Sequence, residues 1–203
     1  KSTVLVDLLA SFPKHSTYCE PFAGTGVVLL NKPQSKREVF NDLNFDLVNM
    51  YRVIRTQGLT EELTRRLSLT PYSVEETRRV REALKHADHL EPVEHARCFI
   101  LSQFVAMFGE GRSFRNDQDR INRWLKWQTL IPHIAARLRS VLFECRSWER
   151  VIEIYDSKET LFYLDPPYWG AEDYYGKEVF TREDFVEVGN IPALVRVVEY
   201  QKT

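Results

Sequence analysis

Leu161-Phe162-Tyr163-Leu164 runs straight into Asp165-Pro166-Pro167-Tyr168, and that junction constrains the fold more than any other stretch of the chain. The apolar tetrapeptide reads as a buried strand. Neither proline can continue it, because each fixes φ and removes a donor from the ladder. The chain must therefore turn rigidly at the strand's carboxyl end, leaving a carboxylate, a carbonyl and an aromatic ring there. Open α/β sheets place their ligands at that edge. An ordinary turn would satisfy the same four residues, so the rest of the chain has to decide.

The opening third supplies a second signal. Ser16 to Glu20 reads as a short strand, Pro21-Phe22-Ala23-Gly24-Thr25-Gly26 as a glycine turn, and Val27 to Leu30 as a helix start. That order opens a βαβ unit. Glycines let the backbone come close to a ligand, and a helix start offers free N–H groups. The third glycine of the dinucleotide fingerprint does not follow. A turn needed only for packing is the competing explanation. Glu38 to Asn41 reads as the next strand, ending at Asp42. An acid there can accept hydrogen bonds from ribose hydroxyls, or it can cap a helix beginning at Leu43. Leu43, Leu47, Met50, Tyr51 and Ile54 recur at helical spacing, with Gly58 as the stop. Asp46 reads as a solvated first-turn residue.

The middle of the chain is helical in pattern. Ser73-Val74-Glu75-Glu76 fits a capping box ahead of a helix reaching about His89. Pro92 starts another, with Val93, Ala96, Ile100, Phe104 and Phe108 on one face and an end near Gly109. A polar loop from Gly109 to Asp119 leads to helical sequence around Trp124 and at Ile134 to Leu138. Strand pattern returns at Val141 to Glu144. The expected fold class is α/β: a core of residues 1–59 and 139–203 interrupted by a mainly helical insertion, 60–138.

Three segments in this order resemble the Dam-like adenine-N6 DNA methyltransferases. They are Tyr18-Cys19-Glu20-Pro21-Phe22-Ala23-Gly24-Thr25-Gly26, Phe40-Asn41-Asp42-Leu43-Asn44, and Phe162-Tyr163-Leu164-Asp165-Pro166-Pro167-Tyr168. The resemblance implies a Rossmann-like methyltransferase sheet and S-adenosylmethionine as the cofactor. Glu20, Phe22, Gly24, Gly26, Asp42 and Asp165 would hold that cofactor. Lys1 matches the lysine closing the family's amino-terminal motif, near the cofactor and target base; the tryptophan of that motif is absent. Asp165, Pro166, Pro167 and Tyr168 would be catalytic. A carboxylate and the Pro166 carbonyl can accept the two hydrogens of an adenine amino group, whose lone pair is otherwise delocalised into the ring. Tyr168 would stack on a base flipped out of double-stranded DNA. The 60–138 insertion stands in the family's target-recognition position, where Arg112, Arg115 and Asn116 would read bases and Arg120 and Arg123 would grip phosphate. Trp124 and Trp127 read as core residues. After Asp-Pro-Pro-Tyr, Leu194 to Val198 is the one further strand pattern. A bacterial or phage source, a cytoplasmic setting and a cognate restriction endonuclease follow from the resemblance alone.

Composition agrees without adding specificity. From Arg97 to Arg150 ten basic residues face five acidic ones, whereas Leu161 to Glu187 holds seven acids and two bases. That asymmetry suits a protein that holds a polyanion with one part and does chemistry with another. Three widely spaced cysteines, Cys19, Cys98 and Cys145, point to a reducing compartment and not to a disulfide framework. None follows a proline, as the nucleophile of carbon-5 cytosine methyltransferases usually does, so structural roles are expected for all three. The five histidines lack metal-ligand grouping, so no metal is expected. No apolar run approaches a membrane span. Two other readings remain open: an amino-group methyltransferase acting on RNA or protein glutamine, and a catalytically silent DNA-binding relative.

Overall fold

The computed structural model describes residues 2–108, 118–166 and 195–197, with the backbone alone at 2–3, 105–108, 120 and 195–197. Two compact units emerge: one from Lys1–Leu43 with Ser140–Thr203, the other from Asn44–Arg139.

The first unit is built on a parallel sheet. Its strands are β1 (Thr17–Glu20), β2 (Arg37–Asn41), β3 (Leu142–Glu144), β4 (Thr160–Leu164) and β5 (Val195–Val197), in the spatial order β3-β2-β1-β4-β5. Each neighbouring pair runs parallel. The strands bearing the two most distinctive motifs, β1 and β4, are therefore side by side. Parallel sheets are covered on both faces, and their strands read as nearly continuous apolar runs. Every residue of β4 is buried. On one face Cys19, Val39, Phe162 and Leu164 pack against Trp148 and Val151 of α9 (Trp148–Tyr155), with Phe22 joining them. The pleat sends alternate residues to the other face, where Tyr18, Glu20, Glu38 and Tyr163 lie. Phe12, just beyond the helix Ser2–Ala10 (α1), packs its ring there on Tyr18 and Tyr163.

Helix α2 (Val27–Asn31) is a single short turn that follows the glycine loop at once. Gly26 sits in the left-handed region at φ +60°, and a Cβ built there would come within 2.9 Å of the Phe40 ring. Conformation and space both demand glycine at this position.

The second unit is helical. Helix α3 (Phe45–Arg55) packs on α6 (Pro92–Phe108) and on α8 (Ile131–Leu138). Its cap is Asn44, whose side chain accepts the Leu47 N–H at 3.1 Å. The helix thus begins two residues later than Leu43, and Asp42 is not its cap. Gly58, expected as a stop, instead opens α4 (Leu59–Ser68) at φ +84°, with the Glu61 carboxylate accepting its N–H. Helix α5 (Val74–Leu84) ends short of His89, and a separate 3-10 turn spans Ala87–His89. Ser73 Oγ does accept the Glu76 N–H at 3.1 Å. The Glu76 carboxylate, however, pairs with Arg97 at 2.9 Å, where the capping box would have turned it back. Asp46 lies in the first turn of α3 with its carboxylate partly in solvent, as expected, and also holds His95 Nε2 at 2.9 Å, because His95 is buried and needs an acceptor. In α7 (Gln118–Gln128) Trp124 is buried edge-on to Phe104, with ring centroids 5.3 Å apart.

Candidate active site

A cavity of about 270 Å3 opens beside the carboxyl ends of β1 and β4. Glu20, Phe22, Gly24 and the Val27–Val28 pair line it from the β1 side, and Tyr163, Asp165 and Pro166 from the β4 side. Motifs more than a hundred residues apart in sequence thus meet in one place. The lining combines two carboxylates with apolar surface, which suits a ligand that is both cationic and partly apolar. At Gly24, φ +49°, a Cβ would meet nothing within 4 Å, so the loop leaves open space beside the cavity.

Three groups hold the glycine loop in shape. Asp42 Oδ2 accepts the Gly24 N–H at 2.8 Å. The Asn41 carbonyl accepts the Ala23 N–H at 2.8 Å. The Asn41 side chain, itself buried, donates from Nδ2 to the Pro21 and Arg146 carbonyls at 2.8 and 2.9 Å, while its Oδ1 accepts the Arg146 N–H at 2.9 Å. The end of β2 therefore fastens both the loop after β1 and the segment after β3. Phe22 is fixed from below, with its ring 6.2 Å from that of Trp148.

Glu20 is the most constrained group in the cavity. Its side chain is buried, and Oε1 accepts both the Tyr18 hydroxyl at 2.6 Å and the Leu29 N–H at 2.8 Å. Burial pushes its carboxyl up to about 7, opposed by those two hydrogen bonds and by the Lys32 ammonium, while the nearby Asp165 charge adds to the rise. Asp165 is half-buried, and desolvation raises its carboxyl above the usual range. The Leu29 amide, one of the helix-start donors expected to be free, is taken by Glu20.

Of the residues singled out by sequence, Glu20, Phe22, Gly24, Asp165 and Pro166 line the cavity, Gly26 closes the turn beside it, and Asp42 braces the loop. Lys1, Pro167, Tyr168, Arg112, Arg115 and Asn116 lie outside the described residues, as does the side chain of Arg120. Arg123 is exposed on α7, its Nε donating to the Asp119 carbonyl at 3.3 Å. Sequence reasoning missed Tyr18, Asn41 and Tyr163. Tyr18 was reachable, since residues i and i+2 of a strand share a face and so pair it with Glu20. The double clamp by Asn41 has no local signature. Among the described residues, no helix is long and apolar enough to cross a membrane, and no three potential metal ligands cluster.

The family model for D12 class N6 adenine-specific DNA methyltransferases matches residues 1–191. The chain is also 26% identical over 209 residues to the Type II methyltransferase M.MjaIII of Methanocaldococcus jannaschii, an alignment covering 91% of this chain and 72% of that protein.

Proposed function

The chain belongs to the D12 class N6 adenine-specific DNA methyltransferase family, and from that membership we propose that Asp165 activates the adenine amino group beside an S-adenosylmethionine pocket formed at β1 and β4. Methylation of adenine N6 in DNA is the activity of that family, so an RNA or protein-glutamine substrate and a silent binder are disfavoured. The observation that carries the pocket is the convergence of Glu20, Phe22, Gly24 and Asp165 on one cavity. One buried and one half-buried carboxylate with apolar walls fit a sulfonium cofactor carrying an ammonium group. When bound, that cofactor supplies an electrophilic methyl group.

The residues present divide the remaining work. Asp42 keeps Gly24 in place through one oxygen and offers its carboxylate to ribose hydroxyls. Glu20 faces the cationic part of the cofactor, and Phe22 and Gly24 shape the wall. Asp165 and the Pro166 carbonyl accept the two hydrogens of the target amine, which favours a pyramidal, nucleophilic nitrogen. Methyl transfer would break the cofactor's carbon–sulfur bond as the nitrogen–carbon bond formed, and the nitrogen would then shed one of those protons. Desolvation makes Asp165 a stronger acceptor for it than a solvated carboxylate. No covalent enzyme intermediate is needed, so catalysis is mostly positioning and electrostatics. Tyr168 would stack on the flipped base. The helical segment 60–138 would recognise the target duplex, with Arg112, Arg115 and Asn116 reading bases and Arg120 and Arg123 on phosphates. A cognate restriction endonuclease and a cytoplasmic setting complete this reading.

Asp165→Asn keeps the shape but replaces one acceptor oxygen with a donor NH2. Single-turnover methylation at saturating cofactor and duplex should fall on the order of a hundredfold or more, with cofactor affinity much less affected. Methylation at the parent rate would remove Asp165 from the chemistry.

A further inference from the structure

A row of polar groups crosses the sheet face beneath α2, where a parallel sheet is ordinarily apolar. Glu38 of β2 pairs with Lys32 at 2.6 Å, and both side chains are almost wholly buried. Lys32, at the end of α2, also donates to the Pro33 carbonyl and to Ser35 Oγ, at 2.6 and 2.8 Å. Its ammonium stands 4.4 Å from the centre of the Tyr18 ring. Tyr18 is fully buried and in register with Glu38 across the β1–β2 pair. Its hydroxyl donates to Glu20 Oε1, the same oxygen that takes the Leu29 N–H. Among the described residues both hydrogen bonds of Glu20 fall on Oε1, which leaves Oε2 as the oxygen to meet a ligand in the cavity.

We propose that Tyr18 is a positioning residue for the cofactor: its hydroxyl, backed by the Lys32–Glu38 pair, holds the Glu20 carboxylate ionised and turned so that Oε2 receives a cationic group of S-adenosylmethionine. The proposal rests on the cofactor reading of the cavity. A buried carboxylate without such donors would protonate and lose its grip on a cation. A hydrogen bond that favours the charged form is how a protein prevents this. Tyr18 is well suited to the task. Burial and the neighbouring Glu20 drive its own ionisation far upward, so it stays a donor. Among the described residues, the charged and titratable groups around Glu20 are Tyr18 and Cys19 on β1, Lys32 with Glu38 below, and Tyr163 and Asp165 at the end of β4.

The sign of the pH dependence follows. Cation binding is present while Glu20 is ionised and is lost as pH falls through about 7. Tyr18→Phe keeps the ring and deletes the hydroxyl, which raises the carboxyl further. Calorimetric affinity for S-adenosylmethionine should then fall about fivefold at neutral pH, and the pH at which affinity is half lost should move up by about one unit. Glu20→Gln should weaken binding and abolish that step, and adding Tyr18→Phe to it should change nothing more. A lowered unfolding temperature with unchanged affinity and midpoint would reduce Tyr18 to packing and overturn the proposal. If Glu20→Gln itself leaves affinity and pH profile untouched, the cofactor reading of the cavity fails as well. Should Tyr18→Phe not fold, the Tyr18 hydroxyl proton of the parent protein is the probe. Its resonance should be held downfield by Glu20 and shift when cofactor is added; no response would overturn the proposal.

Discussion

The charges of the helical unit and those around the cavity of the sheet unit are used in opposite ways. In the helical unit charges are consumed by one another: Arg66 pairs with Glu62, Glu91 and Glu94, and Arg97 with Glu94 and Glu76. In the sheet unit the hydrogen bonds of Glu20, and the one that braces Gly24 through Asp42, stand around an open cavity. A closed network fixes a structure, whereas a network that ends at a cavity presents a charge to a ligand. The difference separates residues that stabilise from residues that bind.

Three substitutions sharpen or break that comparison. The largest effect belongs to Arg97→Met, which strands the Glu76 carboxylate and leaves Glu94 to Arg66. The Arg97 side chain is 13% exposed, so urea unfolding should show a loss of roughly 2–4 kcal/mol, somewhat below the cost for a fully buried pair. Cofactor affinity should not change; a large fall would mean that the closed network also serves the site. Next is Asp42→Ala, which removes the acceptor from Gly24. Calorimetry should show cofactor binding weakened by about 1.5–3 kcal/mol, the value of a hydrogen bond to a charged group, with the unfolding midpoint nearly preserved. Unchanged affinity would leave Asp42 as a brace alone. Smallest is Glu75→Ala, an exposed partner of Arg78 and Arg79 on α5. Neither stability nor affinity should move measurably, since exposed pairs contribute little.

The sheet was legible because its cues are local. The strand before Pro166 is buried throughout, and the apolar run at 161–164 said so; the turn at Gly26 was equally plain. The helical region was legible in kind but not in detail. Gly58 reads as a stop and as a start with equal ease, and only tertiary packing decides. The Ser73 box failed by half because Arg97, far along the chain, offered Glu76 a better partner than its own backbone. Within the site, Asp165 and the glycine loop announced themselves through proline and glycine. Asn41 did not, for a clamp joining Pro21 to Arg146 depends on which strands are neighbours. The partner of Asp46 was hidden for the same reason: His95 is 49 positions away.

The position of the helical unit in the chain has a consequence for how the enzyme comes into being. Ser16 and Glu159, hydrogen-bonded at 2.6 Å at the start of β1 and β4, stand 143 residues apart. Residues 44–139 between them are one continuous helical unit. Helical segments close short loops and form early, whereas a long-range parallel pairing must first bear the entropy of closing its loop. During synthesis the helices can collapse while β4 is still unmade. Glu20 and Asp165 are therefore expected to meet only when β1 and β4 pair, which places the closing of the pocket late in the folding of the chain.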